Sequence, residues 1–131
     1  MGSTMSLKRI LYVEDDPDIQ AVAMLALELV GGYTIEAFTS GQEAIEGAAE
    51  FSPDLILLDV MMPGMDGPTT LKKLREQPSL AGIPVVFLTA KVQDTEVAHY
   101  KSLGALDVIA KPFDAMSLAG QVNIIWKRHH G

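Results

Sequence analysis

The feature that most constrains this chain is a strict alternation. Five short apolar runs, at 8–13, 33–38, 54–59, 84–89 and 106–110, are each followed by a longer segment with helical signals. No pair of runs is joined by a two-residue turn of the hairpin type. Strands that alternate with helices in this way form a parallel sheet with helices on both faces. Right-handed crossovers then leave few topologies. The run Leu55-Ile56-Leu57-Leu58 has no polar side to turn to water, so it reads as a strand buried on both faces that ends at Asp59.

The helices carry their own punctuation. Asp16-Pro17-Asp18 combines a cap, a proline at the first helical position and an acid in the first turn. That helix should run to Val30 and stop at Gly31-Gly32. Ser40 with Glu43 makes a capping box for a helix through Glu50. A third helix is expected from Gly67 to about Glu76, with Pro78 beyond its end. A fourth starts near Gln93 and closes at Leu103-Gly104. Asp114 caps the last, which is expected to reach about Lys127, with Leu118, Val122 and Ile125 facing inward. Gly120 costs that helix about 1 kcal/mol relative to alanine. The chain shows no repeat, linker or low-complexity stretch. It is spent with the last helix, so no output domain is expected.

At 131 residues there is room for one domain with a core and not for two. No apolar stretch reaches membrane-spanning length and no signal peptide is visible. The absence of cysteine excludes disulfides, thiolate metal sites and cysteine nucleophiles. A formal net charge of −7 disfavours direct nucleic-acid binding. Residues 1–6, opening Met1-Gly2-Ser3-Thr4, read as an expression scar and disordered N-terminus. At the other end Lys127-Arg128-His129-His130-Gly131 reads as a small solvated basic tail rather than half of a metal site.

The candidate site residues all fall at strand ends. Glu14, Asp15 and Asp16 follow the first strand, Asp59 ends the third, Thr89 the fourth, and Lys111 follows the fifth. In a parallel sheet these C-terminal ends share one edge, where ligands bind. Glu14, Asp15 and Asp59 would then lie within about 5 Å of one another, and each close pair costs roughly 3 kcal/mol at an effective dielectric near 20. Such a cluster needs a cation or raised pKa values. An all-oxygen donor set without His or Cys suits a hard divalent ion, Mg²⁺ first and Mn²⁺ as its substitute. Asp16 is explained by its cap and Asp66 by the Met65-Asp66-Gly67 turn.

Asp59 is therefore read as a nucleophile that attacks phosphorus to give an acyl phosphate. Lys111 pairs with Asp59 at rest and with a phosphoryl oxygen afterwards. The Thr89 hydroxyl and the backbone N–H groups of Ala90 and Met61 supply further donors. A phosphoryl group adds about −1.5 to −2 charge at one point, enough to pull Thr89 and its loop inward.

Four motifs carry a resemblance: Val13-Glu14-Asp15-Asp16, Leu58-Asp59-Val60-Met61-Met62-Pro63-Gly64-Met65-Asp66-Gly67, Leu88-Thr89-Ala90 and Ala110-Lys111-Pro112-Phe113. In this order and spacing the chain resembles the receiver domain of two-component response regulators, stand-alone chemotaxis-type receivers included, over residues 7–128. The resemblance implies a flavodoxin-like doubly wound α/β fold with five parallel strands in the order 2-1-3-4-5. It implies Asp59 as phosphoacceptor, and Mg²⁺ held by Asp15, Asp59 and the Met61 carbonyl with Glu14 acting through water. Thr89 and Lys111 would hold the phosphoryl group, and Lys111-Pro112 would be cis. The implied phosphodonor is a histidine kinase or histidine phosphotransfer protein, in the cytoplasm, with a downstream protein partner and a homodimer through the fourth and fifth helices as further contacts. Such a domain catalyses only its own phosphorylation and dephosphorylation.

One departure stands out. The family often has Tyr or Phe three residues before the lysine, and here that position is Val108. Without the aromatic, signalling is expected to run through the main chain and the helix after the fourth strand. Met61 and Lys91 stand where the family tunes dephosphorylation. On the first helix, Ile19, Val22, Ala23, Ala26, Leu29 and Val30 are assigned to the core side, leaving Met24 and Leu27 outward as a docking patch for a phosphodonor. Two other readings compete. A phosphohydrolase of the dehalogenase type also uses Asp, Mg²⁺, Thr and Lys, but carries a second acid where this chain has Met61. A flavodoxin-like binding module lacks support because no glycine-rich loop follows the first strand.

Overall fold

The computed structural model describes residues 6–130, so the Met1–Thr4 scar and Gly131 lie outside the described residues. Five strands alternate with five helices: β1 Arg9–Val13, α1 Pro17–Leu29, β2 Thr34–Phe38, α2 Gly41–Phe51, β3 Leu55–Asp59, α3 Gly67–Arg75, β4 Val85–Thr89, α4 Asp94–Ser102, β5 Asp107–Ala110 and α5 Ala115–His130. All pairings are parallel and the spatial order is β2-β1-β3-β4-β5. The chain is thus the doubly wound sheet that the alternation required.

Each face of the sheet has its own core. Ile10, Tyr12, Leu57 and Leu88 point toward α1 and α5, where Ala23, Leu27, Leu118, Val122 and Trp126 meet them. Leu11, Val13, Ile56, Leu58 and Phe87 point the other way, onto Ala48, Leu71, Leu74 and Tyr100 of α2, α3 and α4. Alternate residues of one strand serve opposite faces, so β3 and β4 are buried at every position. Full burial of each such Leu or Ile contributes about 1.5–3 kcal/mol.

The cap is as expected at α1, where the Asp16 carboxylate accepts the N–H groups of Asp18 and Ile19; at α3 Asp66, read as a turn residue, is also the N-cap and accepts the N–H of Thr69. The capping box of α2 is shifted by one residue. Ser40 accepts the Glu43 N–H, but Glu43 reaches back to the N–H and hydroxyl of Thr39. At the other end of the chain, α5 continues past Lys127 to His130. His129 and His130, read as a tail, form its last turn, and the His130 ring stacks on buried Trp126 with centroids 3.8 Å apart.

The phase of α1 departs from expectation. Leu27 is fully buried and Met24 packs against the core, whereas Val22, Leu29 and Val30 are half or more exposed. The assigned core side holds for Ala23 and Ala26 and fails for Val22, Leu29 and Val30, because apolar residues surround much of this helix. With no polar face, spacing alone could not orient it. Leu27 is therefore not available as a docking residue, and the exposed large apolar residues of this stretch are Val22, Leu25, Leu29 and Val30.

Candidate functional site

Strand register brings the candidate residues together. Val13 pairs with Leu58, so Glu14 and Asp59 leave adjacent strands at the same level. Asp59 pairs with Leu88, and Thr89 with Ala110, which sets Thr89 and Lys111 around the same edge. Two glycines shape the turn after Asp59. Gly64 has φ +82, a conformation that side chains resist. At Gly67 a Cβ would come within 2.7 Å of the Asp59 carbonyl oxygen. That glycine lets α3 start directly against the end of β3.

Carboxylate oxygens of Glu14, Asp15 and Asp59 all lie within 4.8 Å of one another. Glu14 and Asp59 are almost wholly buried, at 1% and 3% exposure, while Asp15 is half-buried. The Lys111 ammonium lies between the two buried acids, 2.9 Å from Glu14 Oε1 and 3.3 Å from Asp59 Oδ1. The pair with Asp59 is the one named from sequence, and the nearer partner, Glu14, is an addition to it. The Lys111-Pro112 bond is cis, as the resemblance implied.

One ammonium does not neutralise this cluster. Burial first, and the charge of Glu14 second, push the Asp59 carboxyl up to about 7, against the opposing pull of Lys111. Burial alone would lower the Lys111 pKa, but its bond to Glu14 and the attraction of Asp59 outweigh that and hold it above its usual value. The cluster thus meets the condition for binding a hard cation: several oxygen donors with negative charge in excess.

The surroundings hold these groups in place. Glu14 Oε2 accepts the Asp16 N–H at 3.2 Å. The Gln20 amide donates to the carbonyls of Glu14 and Phe38, tying the ends of β1 and β2 to α1. Thr89 is buried, and its hydroxyl oxygen accepts the Lys91 N–H at 3.0 Å. Ala90 and Met61 occupy the loops after β4 and β3, with the Met61 side chain 70% exposed over the rim. Gln20 and Tyr12, whose hydroxyl reaches Glu14, were missed from sequence. Their helix and strand positions looked like ordinary packing, and only the alternation along β1 hinted that Tyr12 and Glu14 share a side.

Beside the site, Asp18, Ile19 and Val22 of α1 face Lys111, Pro112, Phe113 and Ala115 across an open cleft of about 330 Å³. Residues 10–123 match the response regulator receiver domain. The chain belongs to the response regulator receiver family. It is 34% identical over 119 residues to the transcriptional regulatory protein CseB of Streptomyces coelicolor, covering 91% of this chain and 49% of that protein. The fold of the Vibrio cholerae chemotaxis protein CheY4 superposes with a TM-score of 0.83 at 28% identity, covering 92% of this chain and 99% of CheY4. A signal receiver domain of a histidine kinase from Syntrophus aciditrophicus is 36% identical with a TM-score of 0.77, over 92% of this receiver and 91% of that one.

The receiver spans about half the length of the curated relatives it matches. These likenesses are to signalling proteins, and the phosphohydrolase alternative gains no support. No helix among the described residues is long and apolar enough to cross a membrane. At Val108, the β4 neighbour is Phe87, and the Tyr100 ring of α4 meets Phe87 edge-on at 5.3 Å. An aromatic from α4 thus lies one residue away from the position the family fills from β5.

Proposed function

We propose that this receiver accepts a phosphoryl group on Asp59 from the phosphohistidine of a histidine kinase or histidine phosphotransfer protein. The observation that carries the reading is the buried Asp59 carboxylate, sharing one ammonium with Glu14 at the mouth of the sheet. An Asp59 oxygen forms the new bond to phosphorus, the phosphorus–nitrogen bond of the donor breaks, and the electron pair leaves with the imidazole. Asp15, Asp59, the Met61 carbonyl and, through water, Glu14 are the groups to hold Mg²⁺ or Mn²⁺. When bound, the ion neutralises the charge that develops on the phosphoryl oxygens. Lys111 turns from Glu14 toward a phosphoryl oxygen, and the Thr89 hydroxyl and the N–H groups of Ala90 and Met61 donate to the others. The chain catalyses only its own phosphorylation and dephosphorylation.

The phosphodonor docks on α1 and the cleft beside Lys111. Val22, Leu25 and Leu29 are 55%, 56% and 75% exposed and recur at helical spacing. The modified domain works in the cytoplasm and signals to a downstream protein through its α4 and α5 face, which also serves for a homodimer. At net charge −7 the domain itself makes no direct contact with nucleic acid.

The reading is tested with acetyl phosphate, with and without Mg²⁺, followed by intact mass. One phosphoryl group should appear only with the metal, and none on Asp59→Asn. Equal uptake by that variant overturns the assignment. For the docking face, Val22→Lys combined with Leu25→Glu should slow transfer from a phosphorylated protein donor and leave acetyl phosphate labelling unchanged. An equal loss with both donors places the defect in the site instead.

A further inference from the structure

Tyr12 heads the fully buried side chains by size. It stands two residues before Glu14 on β1, so both side chains leave the strand on one side. The ring packs in the core beneath α1 and α5 with Ile10, Leu57 and Leu27. The neighbours Ile10, Leu27 and Leu57 are aliphatic, and against them a tyrosine adds a hydroxyl over any apolar residue of its size. That hydroxyl donates to Glu14 Oε1 at 3.4 Å, the same oxygen that Lys111 holds at 2.9 Å. An O–H···O bond is usually nearer 2.7–2.8 Å, so Lys111 dominates this oxygen at rest and the tyrosine bond is slack.

The slack matters once Lys111 is needed elsewhere. Glu14 is 1% exposed, so bulk water does not reach Oε1, and beyond a water of the bound ion the Tyr12 hydroxyl is the donor at hand to replace Lys111 there. A buried carboxylate oxygen stripped of its ammonium is costly, and that cost holds Lys111 back. We propose that Tyr12 is a positioning residue of the phosphoryl site: its hydroxyl closes on Glu14 Oε1 as Lys111 turns to the phosphoryl group on Asp59. This rests on the reading of Lys111 given above. Glu14 then keeps its orientation, and Lys111 is released at a lower cost.

Tyr12→Phe removes one oxygen and keeps the ring. The test uses beryllofluoride with Mg²⁺, an unreactive stand-in for the phosphoryl group, with binding followed by calorimetry and melting by circular dichroism. The resting melting temperature should stay within about 2 °C of wild type, because the bond lost is long. Beryllofluoride should bind about tenfold more weakly, the effect of losing a hydrogen bond to a charged group. In a Glu14→Gln background, Tyr12→Phe should change binding by less than about twofold, since the pair acts as a unit. The near-ultraviolet spectrum of wild type should also shift on loading, in a tyrosine band that Tyr12→Phe lacks. Unchanged affinity in Tyr12→Phe overturns the proposal and leaves Asp59 as acceptor. So does an effect that persists undiminished beside Glu14→Gln, or one matched by an equal loss of resting stability, either of which makes Tyr12 a packing residue only. Failure of wild type to bind beryllofluoride would instead defeat the reading of the site itself.

Discussion

The two ends of the sheet treat charge in opposite ways. At the N-terminal ends of the strands Asp54, Arg9 and Arg75 all have partners. The Asp54 carboxylate accepts the N–H groups of Lys8 and Arg9 at 3.0 and 2.9 Å. The Arg9 guanidinium donates to the Phe51 carbonyl and lies over the Phe51 ring. Arg75 donates to the carbonyls of Leu80, Ile83 and Gly104, closing the loops that lead into β4 and β5. At the C-terminal ends, Glu14 and Asp59 compete for one lysine in a buried setting, with Asp15 beside them. One end is satisfied and adds stability. The other is held short of positive charge by the surrounding fold, which is the condition for taking up a cation and a phosphoryl group.

Substitutions at the two ends should therefore fail differently. The largest effect is expected for Lys111→Met, with a fall of at least about a hundredfold in the acetyl phosphate labelling rate, comparable to losing a preorganised oxyanion donor. Time courses by intact mass measure this, and a loss under threefold would erase the contrast. At the satisfied end, Asp54→Ala should cost about 2 kcal/mol in urea unfolding, because two N–H groups lose their acceptor. Its labelling rate per folded molecule should match wild type. If labelling falls along with stability, the two ends are not independent.

Smaller in size but opposite in sign is Asp59→Asn, which should stabilise the metal-free protein by about 1 kcal/mol because it relieves like-charge crowding. The pH dependence sharpens the point. Asp59 titrates near 7 when folded and near 3.8 when unfolded. Between those values the folded protein keeps a proton that the unfolded chain has released. Stability in EDTA should thus fall as pH rises from about 4 to 7, and the fall should flatten in Asp59→Asn. A wild-type curve that rises through this window, with a variant curve of the same shape, would show that the acids are not crowded.

Much of this was legible along the chain because it is written locally. Strand length, helix caps and the turn after Asp59 depend on neighbours in sequence, and Asp16, Asp66 and Gly67 do what their residue types allow. The convergence of Glu14, Asp15, Asp59, Thr89 and Lys111 also followed, since a parallel sheet gathers its C-terminal ends on one edge. The Glu43 partner was misread by one residue because Ser40 and Thr39 both offer a backbone N–H within reach of a flexible acid.

Sequence alone determined the alternation, hence the parallel sheet, and the edge at which the acidic cluster sits. Tertiary structure decided which side of α1 is buried, which carboxylate Lys111 prefers, and that the Tyr12 hydroxyl reaches Glu14. The reason is physical. A helix apolar all round has no preferred face until a sheet lies against it. Choices between partners a few ångströms apart are set by packing from distant strands, which no local pattern encodes.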